Sequence, residues 1–110
     1  MALKTLVAYQ KGFNPAMEIF QVTKSFPKSE LVGLTSQMIR SSRLLCWYIA
    51  EAYRKRQQEK YFRSKLSDAD SENLETQRWL DFALACDFIS IEICDNLTKK
   101  VTKWAASSIT

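Results

Sequence analysis

Six cations, Arg54, Lys55, Arg56, Lys60, Arg63 and Lys65, fall in one short run with Tyr53 and Tyr61 interleaved, and only Glu59 opposes them within it. Lys and Arg neutralise phosphates and aromatic rings stack on unpaired bases, so the run is a candidate contact for RNA or DNA. No base-reading motif accompanies it, and binding there would be electrostatic, with weak sequence preference. The same cations also suit a solvated turn between helices, where they complement the C-terminal dipole of the preceding helix. Glu72 and Glu75 sit three residues apart, on neighbouring sides of one helix, as paired catalytic or metal-binding carboxylates would. Coordination there would be incomplete, because the chain has no His and no second acidic pair stands opposite. The lack of His also removes Ser-His and Cys-His nucleophile pairs, the Glu-x-x-His ligands of helical di-iron bundles and the commonest neutral-pH acid-base group. Cys46, Cys86 and Cys94 show no short metal-ligand spacing and lie in apolar helical patterns, where thiols act as small buried hydrophobes. These residues argue against an enzyme. No catalytic residue, metal ligand or cofactor is assigned.

The elements that must carry these groups are helices. Two Gly and two Pro in 110 residues disfavour a sheet-and-turn protein, and 46% hydrophobic content suffices for one core. Periodicity predicts a single all-α domain over 1–110, with helices at about 6–24, 29–55, 59–86 and 90–105. Short connections make successive helices antiparallel, giving an up-down-up-down four-helix bundle. Leu6, Tyr9, Phe13, Met17 and Phe20 share one side of the first helix. Asn14-Pro15 either kinks that helix near Lys11 or caps a fresh segment, and a kinked helix is the expectation. Ser29 is the expected N-cap of the second helix, after Pro27 in the turn. The third helix follows a weakly marked turn near 55–58; one continuous helix through this region is the alternative. Its core stripe is Phe62, Leu66, Ala69, Asn73, Thr76, Leu80 and Leu84, and Asp87-Phe88 closes it. Ile91, Cys94, Leu97, Val101 and Trp104 are expected to pack inward from the fourth helix, ahead of a frayed 106–110 tail.

The second helix is apolar on two opposite sides. Leu31, Leu34, Met38, Leu45, Ile49 and Ala52 form a core-facing stripe. Arg40, Leu44, Trp47 and Glu51, with neighbouring Tyr48, occupy the other side as a candidate oligomer interface. The alternative is a larger intrachain core wrapped around this helix, which would have to desolvate Arg40 and Glu51. If the second and third helices fold back near residue 56, Arg40 meets Glu72 and Gln37 meets Glu75. These are candidate cross-helix pairs, against the reading of solvated surface charges worth about 0–1 kcal/mol each.

The net charge of +4 conceals an asymmetry. Residues 1–65 hold 12 Lys/Arg against 4 Asp/Glu, whereas 66–98 hold one Arg against 8 acids. Such blocks attract one another and leave basic ends for polyanions. No stretch approaches the roughly 18 apolar residues of a membrane span, and Met1-Ala2-Leu3-Lys4 lacks the marks of a signal peptide. A cytoplasmic protein with no membrane partner is expected.

The run Phe26-Pro27-x-x-Glu30-x-x-x-Leu34-x-x-Gln37-x-x-Arg40, followed by Ile49-Ala50-Glu51 and Arg54, resembles the bacterial four-helix proteins encoded in intervening sequences of 23S ribosomal RNA genes. Phe62-x-x-Lys65-Leu66-x-x-Ala69-x-x-Glu72-x-x-Glu75-Thr76-x-x-Trp79-Leu80 is similar to their third helix. Together the motifs span roughly residues 6–95. Tyr48 and Ala52 stand where the family has Asn and Gly, and a basic, Gln-rich stretch replaces its small-residue turn. The resemblance implies an antiparallel four-helix bundle, a homopentamer with a central channel and no assigned molecular activity. It also implies a distant likeness to the accessory variability protein of diversity-generating retroelements, which binds nucleic acid and works with a reverse transcriptase. A nucleic-acid scaffold and a protein-partner adaptor are therefore the alternatives to a plain self-assembling bundle.

Overall fold

The computed structural model describes residues 3–104, so the expected frayed tail and the predicted end of the fourth helix at 105 lie outside the described residues. Four α-helices carry the fold: α1 (Leu3–Thr23), α2 (Ser36–Arg54), α3 (Glu59–Ala85) and α4 (Ile91–Thr102). The packed pairs are α1 with α2, α2 with α3, α3 with α4 and α4 with α1. That closed circuit, joined by short turns, is an antiparallel up-down-up-down four-helix bundle.

α1 runs without interruption through Pro15, which is itself buried. No fresh segment starts at Asn14. Its buried residues are mostly small, namely Thr5, Ala8, Gly12 and Ala16, followed by Ile19 and Thr23. The small residues admit a close neighbour. A Cβ on Gly12 would stand 3.3 Å from Cys46 Sγ and 3.4 Å from Leu45 Cδ2 of α2. The large stripe of α1 therefore faces outward, with Leu6, Phe13 and Met17 all exposed.

The second helix departs from expectation at its start. A 3-10 turn (Lys28–Glu30) and a π-helical turn (Leu31–Thr35) precede α2, so Ser29 is not its N-cap. Gly33, at φ −104° and ψ −110°, breaks the helical geometry inside the π-helical turn. Leu31 consequently leaves the core stripe and is exposed, while Leu34 stays buried.

The turn near 55–58 exists and excludes one long helix. Lys55 N–H donates to the Glu51 and Ala52 carbonyls, and Gln58 N–H donates to Lys55 at 2.9 Å before α3 begins. Beyond the end of α3 at Ala85, Asp87 turns the chain with a left-handed φ of 60°. Phe88 N–H donates to Ala83 O at 2.9 Å and Asp87 N–H to Leu84 O at 3.0 Å, the paired bonds of a Schellman cap. Ser90 then caps α4, its Oγ accepting from Ile93 N–H at 3.1 Å. Ile91, in that first turn, is exposed rather than packed inward, whereas Cys94, Leu97, Val101 and Trp104 are buried.

Two cores result. Ile19, Phe26, Leu34, Met38, Leu80, Ile89, Cys94, Leu97 and Val101 fill the end where all four helices meet. α4 has 12 residues against 27 in α3, so at about 1.5 Å per residue it falls well short of the far end. There Trp104 seals a second core of Ala8, Leu45, Ile49, Ala52, Leu66 and Ala69. Buried polar residues lie on the same inward stripes: Thr76 donates to Ser41 Oγ at 2.8 Å across α2 and α3. Cys46 and Cys94 are buried, but Cys86 caps α3 and is exposed, against the expectation of three buried thiols.

Candidate functional site

The surfaces that could act lie on both flanks of α2 and at its C-terminal turn. The turn spreads its cations as expected, but most already have local partners. Arg54 Nη2 meets Glu51 Oε2 at 3.1 Å, Arg63 Nη2 meets Glu59 Oε1 at 3.1 Å and Lys65 Nζ meets Asp68 Oδ2 at 3.6 Å. Glu51 and Asp68 therefore join Glu59 in balancing the run, which the segment alone did not reveal. Arg56 stacks 4.2 Å from the Tyr53 ring centroid and donates to its carbonyl oxygen at 3.1 Å. Lys55 lies 5.3 Å over Tyr61, so each tyrosine offers one face already covered by a cation of its own chain. Lys55, Arg56 and Lys60 have no carboxylate partner among the described residues.

The flank of α2 toward α3 carries charge. Arg40 Nη1 stands 4.0 Å from Glu72 Oε1, at the limit of an ion pair. Among the described residues no hydrogen bond joins Gln37 to Glu75; Glu75 Oε1 instead accepts from the Trp79 indole N–H at 3.3 Å. The predicted Gln37–Glu75 pair is replaced because the indole reaches back one helical turn to the carboxylate. Glu72 has a side chain only 13% exposed, and its Oε2 has no hydrogen-bond partner. Burial pushes its carboxyl above the usual range; the Glu75 carboxylate adds to this, Arg40 opposes it and Asp68 adds again. Gln37, Leu34, Trp79, Phe82 and Cys86 line a shallow apolar recess beside this stripe, with Glu30 at its edge.

The opposite flank of α2, toward α1, is apolar. Tyr9, Phe13, Ala16 and Met17 of α1 face Cys46, Trp47 and Ala50 of α2 across a groove of about 470 Å³, and Arg43 is its one charged wall. Tyr9 and Phe13 stack at 6.0 Å, while Arg43 and Lys24 lie over the Phe20 ring at 5.3 and 4.9 Å. Trp47 is 63% exposed and Met17 43%, leaving the groove open to water. Of the remaining residues read as an interface, Arg40 is exposed, and Leu44 and Glu51 are half-buried. Tyr48 packs against the second core beneath Lys65, 5.6 Å from its ring. Sequence reasoning placed Trp47 on this surface but not Tyr9, Phe13, Met17 and Arg43. Their signal was present in the α1 stripe; what the stripe lacked was any sign that it turns away from the core.

Among the described residues no three His, Cys, Asp or Glu gather where a metal ion could be held, and no helix is long and apolar enough to cross a membrane. Cys46 is a poor nucleophile, because burial pushes its thiol up to about 11.

No curated protein sequence matches the chain. Among solved structures it is similar to a protein with unknown function from the S23 ribosomal protein family of Bacteroides thetaiotaomicron. The two share 23% identity over 97% of this chain and 95% of that one, with a TM-score of 0.85, so the likeness establishes a shared fold. The model of the family described as 23S rRNA-intervening sequence protein matches residues 4–108, and with that span covering nearly the whole bundle, the chain belongs to this family.

Proposed function

We propose that this chain is a non-enzymatic, cytoplasmic scaffold that assembles with copies of itself through the outer surface of α1 and α2, with the family resemblance pointing to five subunits. One observation carries the reading. Phe13, Met17 and Trp47, exposed by 40, 43 and 63%, line one continuous apolar groove rather than standing as scattered surface residues. Large aromatic side chains in a connected apolar surface are typical anchors of protein association. Light scattering tests it: the solution mass should be a multiple of the 12.7 kDa chain. Trp47→Glu should return the mass to one chain while the far-ultraviolet circular dichroism stays helical. A single-chain mass for the unaltered protein in dilute solution overturns the proposal.

A second reading is supported by Lys55, Arg56 and Lys60, which have no carboxylate partner among the described residues. Repeated around an assembly, these cations would form a basic rim for RNA or DNA backbones. Such binding should weaken steeply with salt and vanish when Arg54, Lys55 and Arg56 all become Ser. Failure to bind a single-stranded oligonucleotide even at low salt removes this reading.

A further inference from the structure

The groove and the acidic side of α3 differ in chemistry in a way that suits one to the other. The groove is apolar, and its single charge is the Arg43 guanidinium. On α3, Trp79 and Phe82 pack at 5.8 Å as a tilted aromatic pair, and Phe82 is 58% exposed. One helical turn earlier, the same side of α3 carries the half-buried Glu75, bonded to the Trp79 indole, while Glu72 beyond it is mostly buried against its own chain. Arg40 reaches Glu72 at only 4.0 Å, leaving that stripe short of positive charge.

We propose that the groove between α1 and α2 of one copy receives the Trp79–Phe82 edge of α3 from the next copy, with Arg43 set against that copy's Glu75. This rests on the self-association reading and assigns its two surfaces. Groove against groove is the poorer match, because two-fold pairing would bring the Arg43 guanidinium groups of both copies into one apolar contact without counter-charge. An aromatic edge bearing a carboxylate fills the groove and supplies that counter-charge. The two surfaces lie on opposite flanks of α2, so the contact is head-to-tail. A bound pair leaves one groove and one edge unused, and growth stops only when a ring closes.

Complementation of two blocked variants tests this. Trp47→Glu blocks the groove but leaves the α3 edge intact, and Phe82→Lys blocks the edge but leaves the groove intact. Each alone should have the mass of one chain in light scattering. Mixed, they should form a complex of two chains that grows no further, since only one competent groove and one competent edge remain. Met17→Glu and Glu75→Lys serve as replacements should either first variant lose its helical circular dichroism. If the unaltered protein assembles but either folded variant still assembles alone, or the mixture stays at one-chain mass, the head-to-tail pairing is overturned while self-association stands. If the unaltered protein is itself a single chain, both fail.

Discussion

α1 and α3 use apolar residues in opposite ways. α3 buries the regular stripe its sequence displays, with Leu66, Ala69, Thr76 and Leu80 at or below 2% exposure. α1 buries Thr5, Ala8, Gly12 and Ala16 and turns Leu6, Phe13 and Met17 to the outside. An apolar stripe reports that some surface must cover it, without reporting which. In α3 the chain itself does so; in α1 the close approach to α2 at Gly12 uses the small side, and the large side stays open to solvent.

Truncating equivalent apolar residues on the two helices breaks this contrast most sharply. Leu80→Ala should cost about 2–5 kcal/mol in chemical denaturation, because Leu80 is fully buried in the four-helix core. Phe13→Ala, removing a larger group, should cost far less stability when measured on single-chain species. Equal losses would mean that α1 packs its aromatic side within the chain. Next in size is Gly12→Val. Its Cβ would press on Cys46 Sγ at 3.3 Å and on Leu45, so overpacking of about 1–3 kcal/mol should outweigh the gain in helix propensity. An unchanged melting temperature would show that α1 can retreat from α2 freely.

The smallest effect concerns charge beside α3. The folded Glu72 carboxyl holds its proton more tightly than in the unfolded chain, because burial and the Glu75 carboxylate disfavour its charge. The group therefore favours folding most when protonated, and stability falls as pH rises through the window from the unfolded value to the raised one. Glu72→Gln should be modestly more stable than the unaltered protein near pH 7, with the difference closing below about pH 4, under the unperturbed Glu value. A variant less stable at pH 7 would mean that the Arg40 contact outweighs burial.

Much of the architecture was legible without coordinates. The 3.6-residue period, with Gly and Pro almost absent, marked four helices, and the Asp87-Phe88 stop and the start of the fourth helix near residue 90 fell where the sequence placed them. The irregular entry into α2 was not legible, since Leu31 fits the core period and only the backbone break at Gly33 removes it. The local pairing of the basic turn was half legible: Glu59 lies inside the run, whereas Glu51 and Asp68 reach it from the neighbouring helices. Gln37 and Glu75 sat at matching levels on facing helices, yet an indole on the next turn of α3 captured the carboxylate.

The amino-acid sequence alone determined the number of helices, their antiparallel order and the existence of two apolar sides on α2, because periodicity and capping are local properties of the chain. Only the tertiary structure decided which side of α1 is buried, where α2 becomes regular and that Trp104 replaces a missing length of α4. Those outcomes depend on how closely two backbones approach and which volumes then remain to be filled, and neither quantity is carried by the residues of one helix.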